Sequence, residues 1–204
     1  MITIEFFGLS RTGKTTQSRR LVDDLSSRGV SVKVYQRPKI NFTDLPSMDA
    51  WHEMMISSKI TQYHSSLESG ADFLIYDRGF LDRKVMLDLD FAAGTIRRQT
   101  HNKISSSLHT YIKKVNFPLL FLVDPATSLS RVESQMVNGL DNSHFCKGMS
   151  KRDDFKGLSE LIPAYVKEAS QYKNITQIFS NESEDEVYKK VCLVIGMNGA
   201  LPHE

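Results

Sequence analysis

The chain has 204 residues, of which 40% are hydrophobic and 25% charged, so it is long enough for one globular α/β domain. A net charge of +2 argues against nucleic acid as the main partner, and two cysteines are too few for a disulfide framework. No apolar run approaches the roughly 18 residues of a membrane span, and the first predicted strand leaves no room for a signal peptide. We therefore expect a soluble, cytoplasmic protein with a single domain over residues 1–204.

Apolar, β-favouring runs alternate with helical patterns along the chain. Strands are predicted at 2–7, 30–36, 71–76, 117–123 and 175–179. Helices are predicted at 17–25, 49–68, 80–91, 95–115, 126–137, 153–172 and 182–197. Pro163 would either kink the helix at 153–172 or divide it in two. This alternation predicts a parallel sheet with right-handed crossover connections.

The loop after the first strand carries a phosphate-binding motif. Residues 8–15 (GLSRTGKT) fit G-x-x-x-x-G-K-[ST] at every fixed position, between an apolar strand and a helix. Gly8 and Gly13 allow the main chain to turn, so that backbone N–H groups and the helix N-terminus meet the phosphate oxygens. We expect Lys14 to reach the β- and γ-phosphates and Thr15 to place its hydroxyl on Mg²⁺. The motif therefore predicts binding of ATP or GTP.

The predicted ATP site covers the whole loop and the start of the following helix. Its residues are Gly8, Leu9, Ser10, Arg11, Thr12, Gly13, Lys14, Thr15 and Thr16.

Charged residues also follow the second and third predicted strands, at the edge where ligands bind in parallel sheets. Arg37 follows the second strand, and Asp77 and Arg78 follow the third. Asp77 would hold Mg²⁺ through water or accept a proton from an acceptor hydroxyl, and the structural alternative is a cap on the helix that begins near residue 80. Arg78 would clamp a phosphate oxygen through two hydrogen bonds.

Two motifs of hydrolysing proteins are missing from the sequence. Arg78 stands where many ATPases follow the aspartate with a glutamate that activates water. The base-reading motif of GTPases, N-K-x-D, also fails, because residues 102–105 read NKIS. Both features favour transfer of a phosphoryl group to a bound acceptor over hydrolysis.

The chain resembles thymidylate kinases in its motifs and in the order in which these motifs occur. The matching segments are GLSRTGKTTQ at 8–17, Asp77-Arg78, LLFLVDP at 119–125 and the stretch 151–165. The resemblance to this group of P-loop nucleotide and nucleoside kinases implies a three-layer fold with a five-stranded parallel sheet flanked by helices. It also implies transfer of the γ-phosphoryl of Mg-ATP to a nucleoside monophosphate such as dTMP or to a nucleoside, and a homodimer formed through the helices beside the third strand.

The resemblance implies roles for residues outside the core motif. Arg11 matches a loop arginine that holds the transferring phosphoryl, and Arg78 matches an arginine that meets the acceptor's phosphate. Arg131 and a lid at about 138–152 would close over ATP, with Lys147, Lys151 and Arg152 as candidate cations. A solvated loop charge is the alternative for Arg11 and for the lid cations. The predicted catalytic residues are Arg11, Lys14, Asp77, Arg78 and Arg152.

The acceptor side departs from the family pattern. Ser10 replaces an aspartate that contacts the acceptor sugar, and Gly79 replaces an aromatic residue. Arg37 is shifted by one place, and Met55 falls near an expected arginine. The predicted acceptor site comprises Arg37, Trp51, Met55, Lys59 and Arg78. The competing hypothesis is a regulatory ATP- or GTP-binding protein with slow or absent transfer.

Overall fold

The computed structural model describes residues 1–35, 45–137 and 155–197; for residues 132–137, 155–158, 160 and 197 it describes the backbone alone. Five strands form one sheet: β1 Ile2–Gly8, β2 Val32–Tyr35, β3 Phe73–Asp77, β4 Phe117–Leu122 and β5 Thr176–Phe179. Their order is β2-β3-β1-β4-β5, and every neighbouring pair is parallel. The predicted parallel sheet is confirmed.

Helices cover both faces of the sheet. They are α1 Lys14–Ser27, α2 Met48–Glu68, α3 Phe80–Ala92, α4 Arg98–Ile112, α5 Pro125–Val137, α6 Phe155–Ala169 and α7 Glu184–Met197. Pro163 lies inside α6, which is a single helix and is not divided. Pro125 opens α5, where a missing N–H costs nothing, and the Asp124 carboxylate accepts a hydrogen bond from Thr127 N at 2.8 Å.

The central strand β1 is buried on both faces from Thr3 to Gly8. Ile4 and Phe6 pack in a core with α1 and α7, whereas Phe7 packs in the opposite core with α3, α4 and α6. Because successive side chains of a strand point to opposite faces, a strand between two helical layers is apolar nearly throughout. These three layers confirm the predicted P-loop fold class.

The sheet brings the carboxyl ends of its strands to one edge. Phe6 lies opposite Asp77 in the register of β1 and β3, and Gly8 lies opposite Phe121 of β4. Gly8 has a φ of 124°, and a Cβ at this position would lie 2.1 Å from Phe121 O, so only glycine fits between the two backbones. Among the described residues, no helix is both long enough and apolar enough to span a bilayer.

Candidate functional site

A cleft of about 640 Å³ lies at the carboxyl edge of the sheet. The predicted ATP-binding residues Ser10–Thr16 line it, and so do Asp77, Arg78 and Arg131. Leu9 is fully buried in the core. The structure thus brings most of the predicted loop, the predicted metal ligands and one predicted lid residue to a single cavity.

The loop takes left-handed backbone conformations at two positions near the cleft. Gly13, the N-cap of α1, has a φ of 82° and no side chain to satisfy the N–H groups of the first helical turn. Arg11 has a φ of 59°, which is uncommon for a residue with a side chain. Such strained residues cluster at ligand-binding sites, and an uncapped helix start suits an anion.

Lys14, the first residue of α1, is only 4% exposed. Its Nζ donates hydrogen bonds to Leu9 O and, at 2.9 Å, to Thr12 Oγ1. Burial, together with the charge of Arg78, lowers the pKa of Lys14 well below its usual value, although Asp82 and Asp77 act in the opposite direction. Because an anion in the cleft would favour the protonated amine, Lys14 is suited to binding phosphate.

The two predicted metal ligands are in contact. Thr15 Oγ1 donates a hydrogen bond to Asp77 Oδ2 across 62 positions of sequence. Hydroxyl and carboxylate oxygens are ligands that Mg²⁺ accepts, so this pair fits the predicted metal. Asp77 does not cap α3, because the first N–H groups of that helix bond to Glu5 instead, and the capping alternative is therefore wrong.

Arg78 is held between the loop and α3. Its Nη1 donates to Gly8 O at 3.2 Å and to Asp82 Oδ1 at 2.9 Å. Asp82 also accepts a hydrogen bond from Tyr165 OH at 2.8 Å, and Arg78 Nη2 lies 3.4 Å from Ser10 Oγ. Burial alone would raise the pKa of Asp82, but the charges of Arg78 and Arg83 outweigh it and hold that pKa below its usual range. The result is an oriented guanidinium at the cleft.

Glu5 is a site residue that the sequence reasoning missed. Its side chain is fully buried beneath α3, where the carboxylate accepts hydrogen bonds from Phe80 N (2.9 Å), Leu81 N (3.2 Å) and Asp82 N (3.0 Å). Burial raises the pKa of Glu5 to about 7, although the hydrogen bonds and the charge of Lys59 oppose this shift. The sequence feature that could have identified Glu5 is a single acidic residue within an apolar strand.

Glu5 also explains why glycine follows Arg78. A Cβ at Gly79 would lie 2.6 Å from the carboxyl carbon of Glu5 and 2.9 Å from Tyr76 Cβ. The aromatic residue that the resemblance to thymidylate kinases leads us to expect would not fit at position 79. With Glu5 in this place, position 79 therefore has room only for a residue without a side chain.

The predicted acceptor residues of α2 do not line the described part of the cleft wall. Lys59 is 1% exposed; its Nζ donates to Arg78 O and lies 4.1 Å from the centroid of the Tyr35 ring. Met55 is also 1% exposed, and the half-buried ring of Trp51 lies 4.3 Å below the guanidinium carbon of Arg83. Several other predicted positions fall outside the described residues: Arg37, Lys147, Lys151, Arg152 and the lid as a whole.

The chain after β5 forms the far side of the cleft, which the sequence reasoning also missed. Ser180, residues 182–184 and Val187 line it. Arg131 joins this segment to the loop, because its Nη1 donates to Arg11 O at 3.1 Å and its Nη2 to Ser180 O at 2.5 Å. Gln17 Nε2 donates to Glu184 O at 2.9 Å. The end of β5 lies at the same edge as the other strand ends, which was the signal available in the sequence.

Comparison with known proteins supports the fold. No family model matches the chain, and no curated protein sequence does. A deoxyadenosine kinase from M. mycoides with bound dATP matches with a TM-score of 0.63 and 12% identity, over 97% of this chain and 98% of that chain. A structure of the same kinase with dCMP and dCDP matches with a TM-score of 0.67 and 14% identity, over 98% and 100%. A thymidylate kinase from Candida albicans matches with a TM-score of 0.67 and 16% identity, over 98% and 92%. The chain has the fold of these P-loop nucleoside and nucleotide kinases.

Proposed function

We propose that this protein is a P-loop kinase that transfers the γ-phosphoryl of Mg-ATP to a nucleoside monophosphate, dTMP-like in size, or to a nucleoside. The observation that carries the proposal is the pairing of two cations at one cleft. Lys14 belongs to the phosphate loop, and Arg78 is held beside it by its ion pair with Asp82. One cation suits the donor phosphates and the other suits the acceptor. The structural neighbours support this, since they were solved with dATP or with dCMP and dCDP.

Catalysis would depend on positioning and on charge stabilisation. Lys14, Arg11 and the N–H groups of the loop would stabilise negative charge on the transferring phosphoryl group, with Arg152 as a further cation. Thr15 and Asp77 would hold Mg²⁺, which when bound neutralises charge on the β- and γ-phosphates.

The acceptor oxygen would attack the γ-phosphorus, and the bond from phosphorus to the ADP oxygen would break. If the acceptor is a hydroxyl, Asp77 would take its proton instead of serving as a metal ligand; a phosphate acceptor has no proton to release. Arg78 would orient the acceptor, and further acceptor contacts would come from Arg37 and the half-buried Trp51, because Met55 and Lys59 are each only 1% exposed.

The nucleoside of ATP would lie toward the chain after β5. The cleft extends from the phosphate loop to residues 182–184 and Val187, and Arg131 bridges the two walls. Backbone and carboxylate oxygens of this segment are able to accept hydrogen bonds from an exocyclic amine. We therefore assign the donor base to this wall.

A regulatory ATP- or GTP-binding protein is the second candidate. It is favoured by the burial of Met55 and Lys59, each 1% exposed, which removes two expected acceptor contacts from the surface. In that case the nucleotide would control a partner protein, and transfer would be slow or absent.

The test is transfer of label from γ-labelled Mg-ATP to a panel of nucleosides and nucleoside monophosphates. We expect one class of acceptor to become labelled, Lys14→Ala to abolish the product, and the surface variant Lys33→Ala to behave as wild type. ATP binding without a labelled product from any acceptor would refute the kinase and favour the regulatory protein. We also propose a cytoplasmic homodimer formed through the helices beside β3, and sedimentation velocity would report its mass.

A further inference from the structure

The chain makes an unusual turn between β3 and α3. Arg78 has a left-handed φ of 68°, although it carries a side chain, and α3 starts two residues later at Phe80. Its backbone N–H donates to Phe6 O at 2.8 Å, and its carbonyl accepts from Lys59 Nζ. The main chain of Arg78 is therefore bound both to the central strand and to α2.

The start of α3 is bound in turn to Glu5. All three of its first N–H groups, at residues 80–82, donate to this one carboxylate. Asp82, whose N–H is one of them, is the partner of the Arg78 guanidinium. Glu5 thus fixes the backbone from which the carboxylate of that ion pair extends.

We propose that Glu5 is a positioning residue that holds the Arg78–Asp82 ion pair in place for acceptor binding. It does not touch the acceptor; it acts through α3. This inference rests on the proposed function for the role of Arg78, and the placement of α3 by Glu5 is independent of that role.

The chemistry requires a carboxyl group in this position, because both of its oxygens keep acceptor sites whether or not the group carries a proton. Two carboxylate oxygens offer about four lone-pair sites, which is enough for three N–H donors at the positive end of a helix. A glutamine side chain has one oxygen, and its NH₂ group would face a backbone N–H. The groups that face Glu5 are Lys59 from α2, Asp82 from α3, Tyr76 from β3 and Tyr172 from the segment after α6, and of these only Lys59 carries a positive charge.

Two variants disturb this arrangement from opposite sides. Glu5→Gln removes one acceptor oxygen, and Gly79→Ala pushes a methyl group against the same carboxyl group, because a Cβ at this position would lie 2.6 Å from the carboxyl carbon. Glu168→Gln is the matched control. Glu168 is 3% exposed, and its carboxylate accepts hydrogen bonds from Gln171 and Tyr172, both of which lie just after the end of α6.

The first measurement is amide hydrogen exchange at residues 80–82, without any substrate. We expect exchange about tenfold faster in Glu5→Gln and in Gly79→Ala, and unchanged in Glu168→Gln. Exchange at the wild-type rate in both variants would overturn the proposal, whether or not the protein is a kinase. If Glu5→Gln does not fold, Gly79→Ala decides the question.

The second measurement separates the two substrates. In both variants we expect the KM for the acceptor to rise about tenfold, while the Kd for ATP stays within about twofold of wild type. Faster exchange with an unchanged acceptor KM would overturn the link to acceptor binding. If the wild-type protein transfers no label at all, the proposed function fails, and the exchange measurement alone decides whether Glu5 positions α3.

Discussion

Glu5→Gln is expected to flatten the pH dependence of folding stability between about pH 4.5 and 7. Burial raises the pKa of Glu5 from its ordinary value of 4.5 to about 7 in the folded protein. Between these two values the folded state keeps a proton that the unfolded chain has released. The stabilisation from this group is therefore complete below pH 4.5 and is lost as the pH rises through 7.

The magnitude follows from the two pKa values. They differ by about 2.5, and a difference of one corresponds to about 1.4 kcal/mol, so the wild-type free energy of unfolding should lose at most about 3 kcal/mol from this residue. Glutamine does not titrate, so the variant should not show this loss.

The assay is urea unfolding at half-unit steps from about pH 4.5 to 8, for the wild type and for two variants. Glu68→Gln makes the same substitution at an exposed site on α2 and should follow the wild-type profile. The quantity of interest is the difference in slope between Glu5→Gln and the wild type. Parallel profiles across this range would refute the argument that burial dominates the charge state of Glu5.

Three further predictions concern the cleft. Lys14→Ala should lower turnover by about two orders of magnitude or more with an unchanged urea midpoint, and near-normal transfer of label would contradict its assignment. Gly8→Ala should cost at least about 2 kcal/mol in urea unfolding, because its Cβ would overlap Phe121 O; Gly70→Ala, with a positive φ of 66° and nothing within 4 Å, should cost less, and equal costs would refute the steric argument. Arg131→Met should raise the KM for ATP about tenfold and leave the KM for the acceptor unchanged, since it removes two hydrogen bonds to the donor side; a change in the acceptor KM alone would reverse the assignment of the two sides.

Local patterns in the sequence were enough to predict the fold and the phosphate loop. The motif at 8–15 is continuous in the chain, and each strand is an apolar run whose type does not depend on distant residues. Asp77 and Arg78 could be predicted as site residues for a related reason. Parallel strands end at one edge, so a charged residue directly after a strand must lie near that edge.

The acceptor side was harder to predict, because it depends on which way helical side chains point. Lys59 and Met55 lie on α2, whose buried positions include both polar and apolar residues, so the sequence shows no clear polar face. The structure buries both, and Lys59 supports the backbone of Arg78. A lysine at such a position is indistinguishable in sequence from one that contacts a ligand.

The sequence by itself determined the phosphate loop, the order of strands and helices, and the pair at 77–78, since each is encoded by residues close together in the chain. Only the tertiary structure decided that Glu5 caps α3, that Asp82 and Tyr165 hold Arg78, and that Arg131 joins the loop to Ser180. Most of these contacts connect residues that are 49 to 120 positions apart. The geometry of these contacts is set by the packing of helical layers against the sheet. A single polar contact between distant residues produces no periodic pattern in the sequence of either partner.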